Sequence, residues 1–170
     1  KALYGVLTAD NISTYKDRIV YLPKIDTSTK TSMSSMFSNC YSLLAIPQLD
    51  TSSVTDMRGM FKNCKSLVSI PQLDTSKVTN MVEMFYNCHS LTSIPPLDTS
   101  KVTNITNMFY SCYSLTSISQ LDVSSLVEED YSSAFPSCWS LTRCDLKNVR
   151  CGYYLRDARL LSKKSLLYII

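Results

Sequence analysis

The chain has 170 residues and a formal charge of +3 at neutral pH. That length makes a single domain the default, and so slight and scattered a charge excludes a nucleic-acid surface built on a basic stripe. No apolar run approaches the length of a membrane span and Lys1 opens no signal-peptide pattern, although a chain starting on lysine is equally read as a trimmed or mature form.

Residues 1–18 carry Leu3, Tyr4, Val6 and Leu7 ahead of a polar Asp10-Asn11 stretch, and predict an N-terminal strand or hairpin that covers the first coil. From Ile19 the chain repeats itself. Cys40, Cys64, Cys88 and Cys112 stand 24 residues apart, and the residues around them recur in register. One apolar column holds Ile19, Leu43, Leu67, Leu91 and Leu115; the next holds Leu22, Ile46, Ile70, Ile94 and Ile118; a third holds Ile25, Leu49, Leu73, Leu97 and Leu121. Val54, Val78 and Val102 follow, then Met33, Met57, Met81 and Ile105, then Met36, Met60, Met84 and Met108, each with a phenylalanine beside it. A further copy, with Ala134, Phe135, Cys138 and Leu141, comes after a two-residue insertion near Val127–Asp130. A fixed period of this length signals a solenoid, because one coil cannot hide its own apolar face and stacked neighbours can. The repeat array is assigned to 19–145.

Within one coil, Ser-Leu-Thr-Ser-Ile-Pro reads as a short strand that ends at Pro47, Pro71 or Pro95, since proline removes a ladder donor. From Val102 to Cys112 the apolar residues fall at spacings of three and four, which predicts a short α or 3₁₀ helix. The expected class is therefore an α/β repeat solenoid, with a short-stranded parallel sheet on one face and short helical turns on the other. Beyond Leu146 the period decays, and 146–170 predicts a degenerate rung and then a capping helix that starts at Ser162.

Each chemical motif has a bland reading beside it. The seven cysteines lack paired C-x-x-C spacing and the only histidine is His89, so no zinc site and no other cofactor is expected. Cysteines three residues after Phe and three before Leu occupy a core column and predict buried free thiols; Cys144 and Cys151 lie off the ladder and are candidates for a pair. Asp26, Asp50, Asp74, Asp98 and Asp122 recur as a column that calcium would suit. With only three glycines the chain lacks the calcium-roll pattern, and Asp-Thr-Ser is a good turn-former. Cys88 beside His89 resembles a nucleophile and its base, but both belong to columns that repeat without the other, so no catalytic residue and no enzyme is expected.

What remains is surface. The column after each cysteine, Tyr41, Lys65, His89, Tyr113 and Trp139, tolerates charge and is expected to point outward, with Tyr86 and Tyr110 on the preceding turn. These seven are the candidate binding residues, as an exposed aromatic stripe or as rings that merely cover the seam between coils.

The repeated SLTSIPxLDTSKVTNMxxMFxxC resembles the BspA-like leucine-rich repeats of bacterial surface proteins, in the mycoplasma-type lipoprotein variant, over roughly residues 19–145. Lys30 stands where that pattern has valine, and the register breaks at 127–130. The resemblance implies a leucine-rich-repeat right-handed superhelix, displayed on a bacterial cell surface or secreted, monomeric, and used to bind or adhere to a protein or other macromolecule. It carries no catalytic residue and no cofactor across. A spacer that holds another domain away from the envelope, and a glycan-binding module using the aromatic column, are the alternatives.

Overall fold

The computed structural model describes residues 7–126 and 133–147. Among these residues the coils stack, and every backbone bridge between neighbouring coils is parallel. Isolated bridges join Tyr21 to Ala45 and Ser93 to Ser117, and a second series runs Ser32, Asp56, Asn80, Asn104. On the strand side the amides of Leu44, Val68, Thr92, Thr116 and Thr142 donate in turn to the carbonyls of Val20, Leu44, Val68, Thr92 and Thr116, at 2.9–3.2 Å.

Among the described residues only two coils develop full strands, β1 (Ser117–Asp122) and β2 (Arg143–Lys147), paired in parallel. The reason is legible residue by residue. The position that holds Pro47, Pro71 and Pro95 holds Ser119 in β1, which carries the backbone N–H that proline lacks and lets the strand run on. Ser119 itself lies in the irregular stretch between the paired Ile118 and Leu121. The pairing offset is 26 residues at Ser117–Arg143 and 25 at Leu121–Leu146, with the irregularity between Ile118 and Leu121. A bulge thus absorbs one residue of the insertion. The inserted segment itself lies outside the described residues.

The opposite face corrects the helical expectation. Among the described residues the only helix is one 3₁₀ turn, Ile12–Tyr15. Where helices were predicted, the chain makes consecutive turns with a left-handed residue at every fourth position. Ser35, Gly59, Glu83 and Asn107 form one such column (φ +55 to +59°). Asn39, Asn63, Asn87, Ser111 and Ser137 form the other (φ +57 to +64°). A left-handed residue at that interval breaks the i→i−4 ladder that an α-helix requires. The amides divide their duties instead. Those of Met33, Ser35, Phe37 and Asn39 donate to the next coil, at the carbonyls of Asp56, Arg58, Met60 and Lys62 (2.7–2.9 Å). Those of Met36, Ser38 and Cys40 close turns within their own coil, on Met33, Ser35 and Phe37 (3.0–3.2 Å).

Between the two faces lies the core, and the sequence columns fill it. Leu43, Leu67, Leu91, Leu115 and Leu141 are all buried, as are Phe37, Phe61, Phe85, Phe109 and Phe135. The five phenylalanine rings stack in one column at 5.4–5.5 Å with planes within 9°. The Phe109–Phe135 step matches the others, so the insertion leaves the core pitch untouched. Thiols run beside the rings. Cys64, Cys88, Cys112 and Cys138 each direct Sγ at the carbonyl of a phenylalanine one coil back, at 3.0–3.1 Å. These four, with Cys40, are buried free thiols as expected. Cys144 is buried too, and its suggested pairing with Cys151 lies outside the described residues.

The first coil differs in detail. The segment before Ile19 carries the 3₁₀ turn, whose Ile12 is buried in the core, and the strand or hairpin expected around Leu3, Tyr4 and Val6 falls on residues outside the described ones. Leu22 and Met36 are only partly buried, unlike their column mates. Lys30 replaces a buried valine and pairs with Asp10, which brings a counter-charge to the departure from the pattern. The capping helix expected from Ser162 lies outside the described residues.

Candidate functional site

Each coil turns sharply after its cysteine, and that turn sets the outward column. The Leu43 amide reaches back to the Cys40 carbonyl (3.1 Å), while the carbonyls of Tyr41, Lys65 and His89 accept amides from Ser66, Ser90 and Ser114 of the following coil (3.2 Å). One residue per coil is thereby fixed at the same place on the surface, one step above the last.

Within that column the side chains meet in two runs, Tyr41 with Lys65 and His89 with Tyr113 and Trp139. His89 stacks on Tyr113 at 4.6 Å, and Tyr113 on Trp139 at 4.6 Å. Lys65 lies over the Tyr41 ring at 5.5 Å. A parallel rail stands beside it, where Tyr86 stacks on Tyr110 at 4.7 Å and Lys62 lies over Tyr86 at 4.9 Å. Lys62 also pairs with Glu83 at 2.7 Å, so one ammonium serves both a carboxylate and a ring. All seven candidate residues thus fall on these two rails. Trp139 is 70% exposed and Tyr41 42%, whereas His89, Tyr113, Tyr86 and Tyr110 are half-buried by their neighbours' ring faces. Burial and the nearby Lys65 charge push the His89 imidazole below its ordinary value.

Sequence reasoning missed Lys62 and Glu83, although Lys62 shares the column of Tyr86 and Tyr110. It also missed an apolar corner at the first coils, where Val20, Tyr21 and Val68 are exposed.

Other motifs resolve into structure. Asp26, Asp50, Asp74 and Asp98 each accept both the amide and the hydroxyl of the serine two residues on (2.6–3.1 Å). Those serine bonds hold the four carboxyls below their usual range. The column acts as a turn-former. Asn63 Nδ2 donates to Asn39 Oδ1 and Asn87 Nδ2 to Asn63 Oδ1 (2.7 and 2.8 Å), an amide ladder along the left-handed column. Cys88 and His89 do not meet as nucleophile and base. The thiol faces the Phe61 carbonyl and burial holds it protonated, while the imidazole lies on Tyr113. Among the described residues no cluster of three His, Cys, Asp or Glu side chains is placed to hold a metal ion, and no helix is long and apolar enough to cross a membrane.

A parallel coil stack with apolar columns every 24 residues is a repeat solenoid of the leucine-rich class. Residues 31–147 match the family described as "Mycoplasma protein of unknown function, DUF285", and the chain belongs to that family. It is a BspA-like leucine-rich repeat protein of the mycoplasma type, as the repeat motif implies. Among solved structures the chain is similar to that of the T. pallidum leucine-rich repeat protein TpLRR, at 18% identity and a TM-score of 0.43, over 85% of this chain and 83% of that one. No curated protein matches it.

Proposed function

We propose that this chain is a non-enzymatic binding module of a bacterial surface or secreted protein, and that it adheres to a protein partner through the two aromatic rails. In this reading the coils wind in the right-handed sense that parallel crossovers take, residues 1–18 and 146–170 cap the array, and the repeats serve as a rigid scaffold for the rails. The observation that carries it is the surface column Tyr41, Lys65, His89, Tyr113 and Trp139, in which Lys65 lies over Tyr41 and His89, Tyr113 and Trp139 stack in turn. Tyr and Trp held rigid by stacking lose little entropy on binding, and serine neighbours such as Ser42, Ser66, Ser90 and Ser114 supply adaptable hydrogen bonds.

The same geometry favours a protein over a glycan. Sugars stack on ring faces, and here Tyr113 has both faces covered while His89, Trp139, Tyr86 and Tyr110 each have one face covered by a neighbour at 4.6–4.7 Å, so little open ring face remains outside Trp139. The test is the double substitution Tyr113→Ala, Trp139→Ala, measured for adhesion to matrix proteins and to glycan arrays. Lost protein adhesion with intact folding supports the reading. Unchanged adhesion removes the rails, and a parent protein that binds nothing leaves the spacer role.

A further inference from the structure

We infer that the sheet face of the first three coils is a second binding surface, and that it takes a short acidic, apolar peptide segment of a partner protein. It stands apart from the two rails, which occupy other columns.

One solvent-side column of the sheet runs Val20, Leu44, Val68, Thr92, Thr116 and Thr142, and the next runs Tyr21, Ala45, Ser69, Ser93, Ser117 and Arg143. Both begin apolar and turn hydroxylic. The stack itself does not call for the change. The amides of Leu44 and Val68 donate to the carbonyls of Val20 and Leu44 at 3.0 and 3.1 Å, and those of Thr92 and Thr116 continue the same ladder at 3.2 and 3.1 Å. The hydroxyls of Thr92, Thr116 and Thr142 add a bond to the carbonyl one coil back, at 3.1–3.4 Å. Leu44 and Val68 forgo that bond and turn hydrocarbon toward water instead. Such a departure from what the fold prefers points to function, and an apolar patch rimmed by polar residues marks an interaction site. Val20 is 40% exposed, Val68 44% and Tyr21 69%. The Tyr21 ring enters none of the stacks that cover the rail rings, so it is open to a ligand where Tyr113 is not.

Size and charge name the occupant. Three coils span about 10 Å along the axis. A patch that small falls well short of the roughly 800 Å² per partner of a stable protein interface, and fits one short segment with two or three apolar side chains. Charge makes that segment acidic. Arg18, two residues before Val20, is exposed and replaces the serine that every later coil carries there, as at Ser42 and Ser66. Lys65 is exposed too, and holds its ammonium one coil back, over Tyr41. Neither cation makes an ion pair among the described residues. Asp17 stands beside Lys16, and the two charges act on the Cys40 thiol in opposite senses. Asp26 accepts from Ser28 and has Lys24 near it.

The test is selection of a random peptide display library on the full chain, then fluorescence anisotropy with a labelled copy of the enriched peptide. Sequences in which Asp or Glu alternates with apolar residues are expected, with binding that weakens as salt rises. The variant Val20→Thr, Tyr21→Ser, Val68→Thr writes the later coils' own residues into the first three. Circular dichroism should show the same fold, and binding should weaken about tenfold or more. Arg18→Ser should weaken it about two- to tenfold and flatten the salt dependence, and it decides the matter alone if the triple variant unfolds. Failure to enrich an acidic, apolar sequence overturns the inference. So does a peptide that the folded triple variant holds as tightly as the parent, or one that Tyr113→Ala with Trp139→Ala releases, which belongs to the rails. Cosedimentation with vesicles of phosphatidylglycerol and phosphatidylcholine, lost in the triple variant, would put a membrane surface in the peptide's place and overturn it equally. The rails are judged separately, by the adhesion assay on the double alanine variant.

Discussion

Two ladders of flat side chains run along this molecule, one hidden and one exposed. The hidden ladder uses phenylalanine at every coil, at 5.4–5.5 Å. The exposed ladder uses tyrosine, lysine, histidine, tyrosine and tryptophan, and where rings meet they close to 4.6 Å. A buried ring must fit the ring above, the ring below and the thiol column beside it, so its shape is dictated on every side. An exposed side chain need only lay a flat or cationic end on its neighbour. Folding free energy therefore concentrates in the first ladder, and the second is free to vary its chemistry without loss of the stack.

The largest effect that tests this contrast is truncation in each ladder. Phe85 is fully buried with a ring on either side, and Phe85→Ala should cost about 3–5 kcal/mol. His89→Ala, four residues on, should cost less than about 0.5 kcal/mol. Urea unfolding of both variants decides it, and the reverse order would mean that the two ladders have exchanged roles.

The thiols beside the hidden ladder should set the alkaline limit of stability. Burial pushes Cys40 up to about 11 and Cys138 up to about 12, and it raises Cys64, Cys88 and Cys112 as well. An unfolded thiol titrates near about 8.5. Above that pH the unfolded chain releases protons that the folded chain retains, so stability falls as pH rises. It is intact below the unfolded value and lost as pH climbs through the folded ones. Urea midpoints at pH 7 and pH 10 should show the drop, and Cys88→Ala should shrink it. An equal drop in that variant would assign the effect to tyrosines and lysines.

The columns, the buried thiols and the aspartate turns were legible in the sequence, because each depends only on which residues recur. Two features were not. Apolar spacings of three and four arise from a helix, but also from turns that alternate right- and left-handed residues, and the spacing of Val102 to Cys112 fits both. Composition held the discriminating signal in Gly59 and in Asn39, Asn63 and Asn87, residues that tolerate the left-handed region and form helices poorly. Pitch was the other hidden quantity. The column of Tyr41 to Trp139 could be named, but ring contact within it depends on how closely coils stack. The strands gave a finer lesson, since Ser119 in place of proline lengthens β1.

Gly59 separates the two readings of the turn face by sign. In a helix Gly59→Ala would stabilise by about 1 kcal/mol. At φ +59°, with the new Cβ 3.4 Å from Ser35 Oγ, the strain lies in the backbone, and the substitution should cost about 1–2 kcal/mol. A gain in the urea midpoint would restore the helix.

A further predicted difference lies in one buried column that sequence alone reads as turn. Thr27, Thr51, Thr75 and Thr99 are each 2% exposed, although the aspartates before them face solvent. Thr99 Oγ1 donates to the Asp122 carbonyl at 2.9 Å and accepts the Asp122 amide at 2.7 Å, and Thr27 makes the same exchange with Asp50. Thr51 and Thr75 hydroxyls lack a partner. Valine keeps the shape and removes the hydroxyl. At Thr99 it strands a buried amide and carbonyl and should cost about 1–3 kcal/mol, whereas at Thr51 it removes a group already unsatisfied and should fall within about 0.5 kcal/mol of neutral or stabilise. Equal losses at both sites would mean that the Thr51 hydroxyl finds a partner in solution, and that all four coils close on their neighbours in the same way.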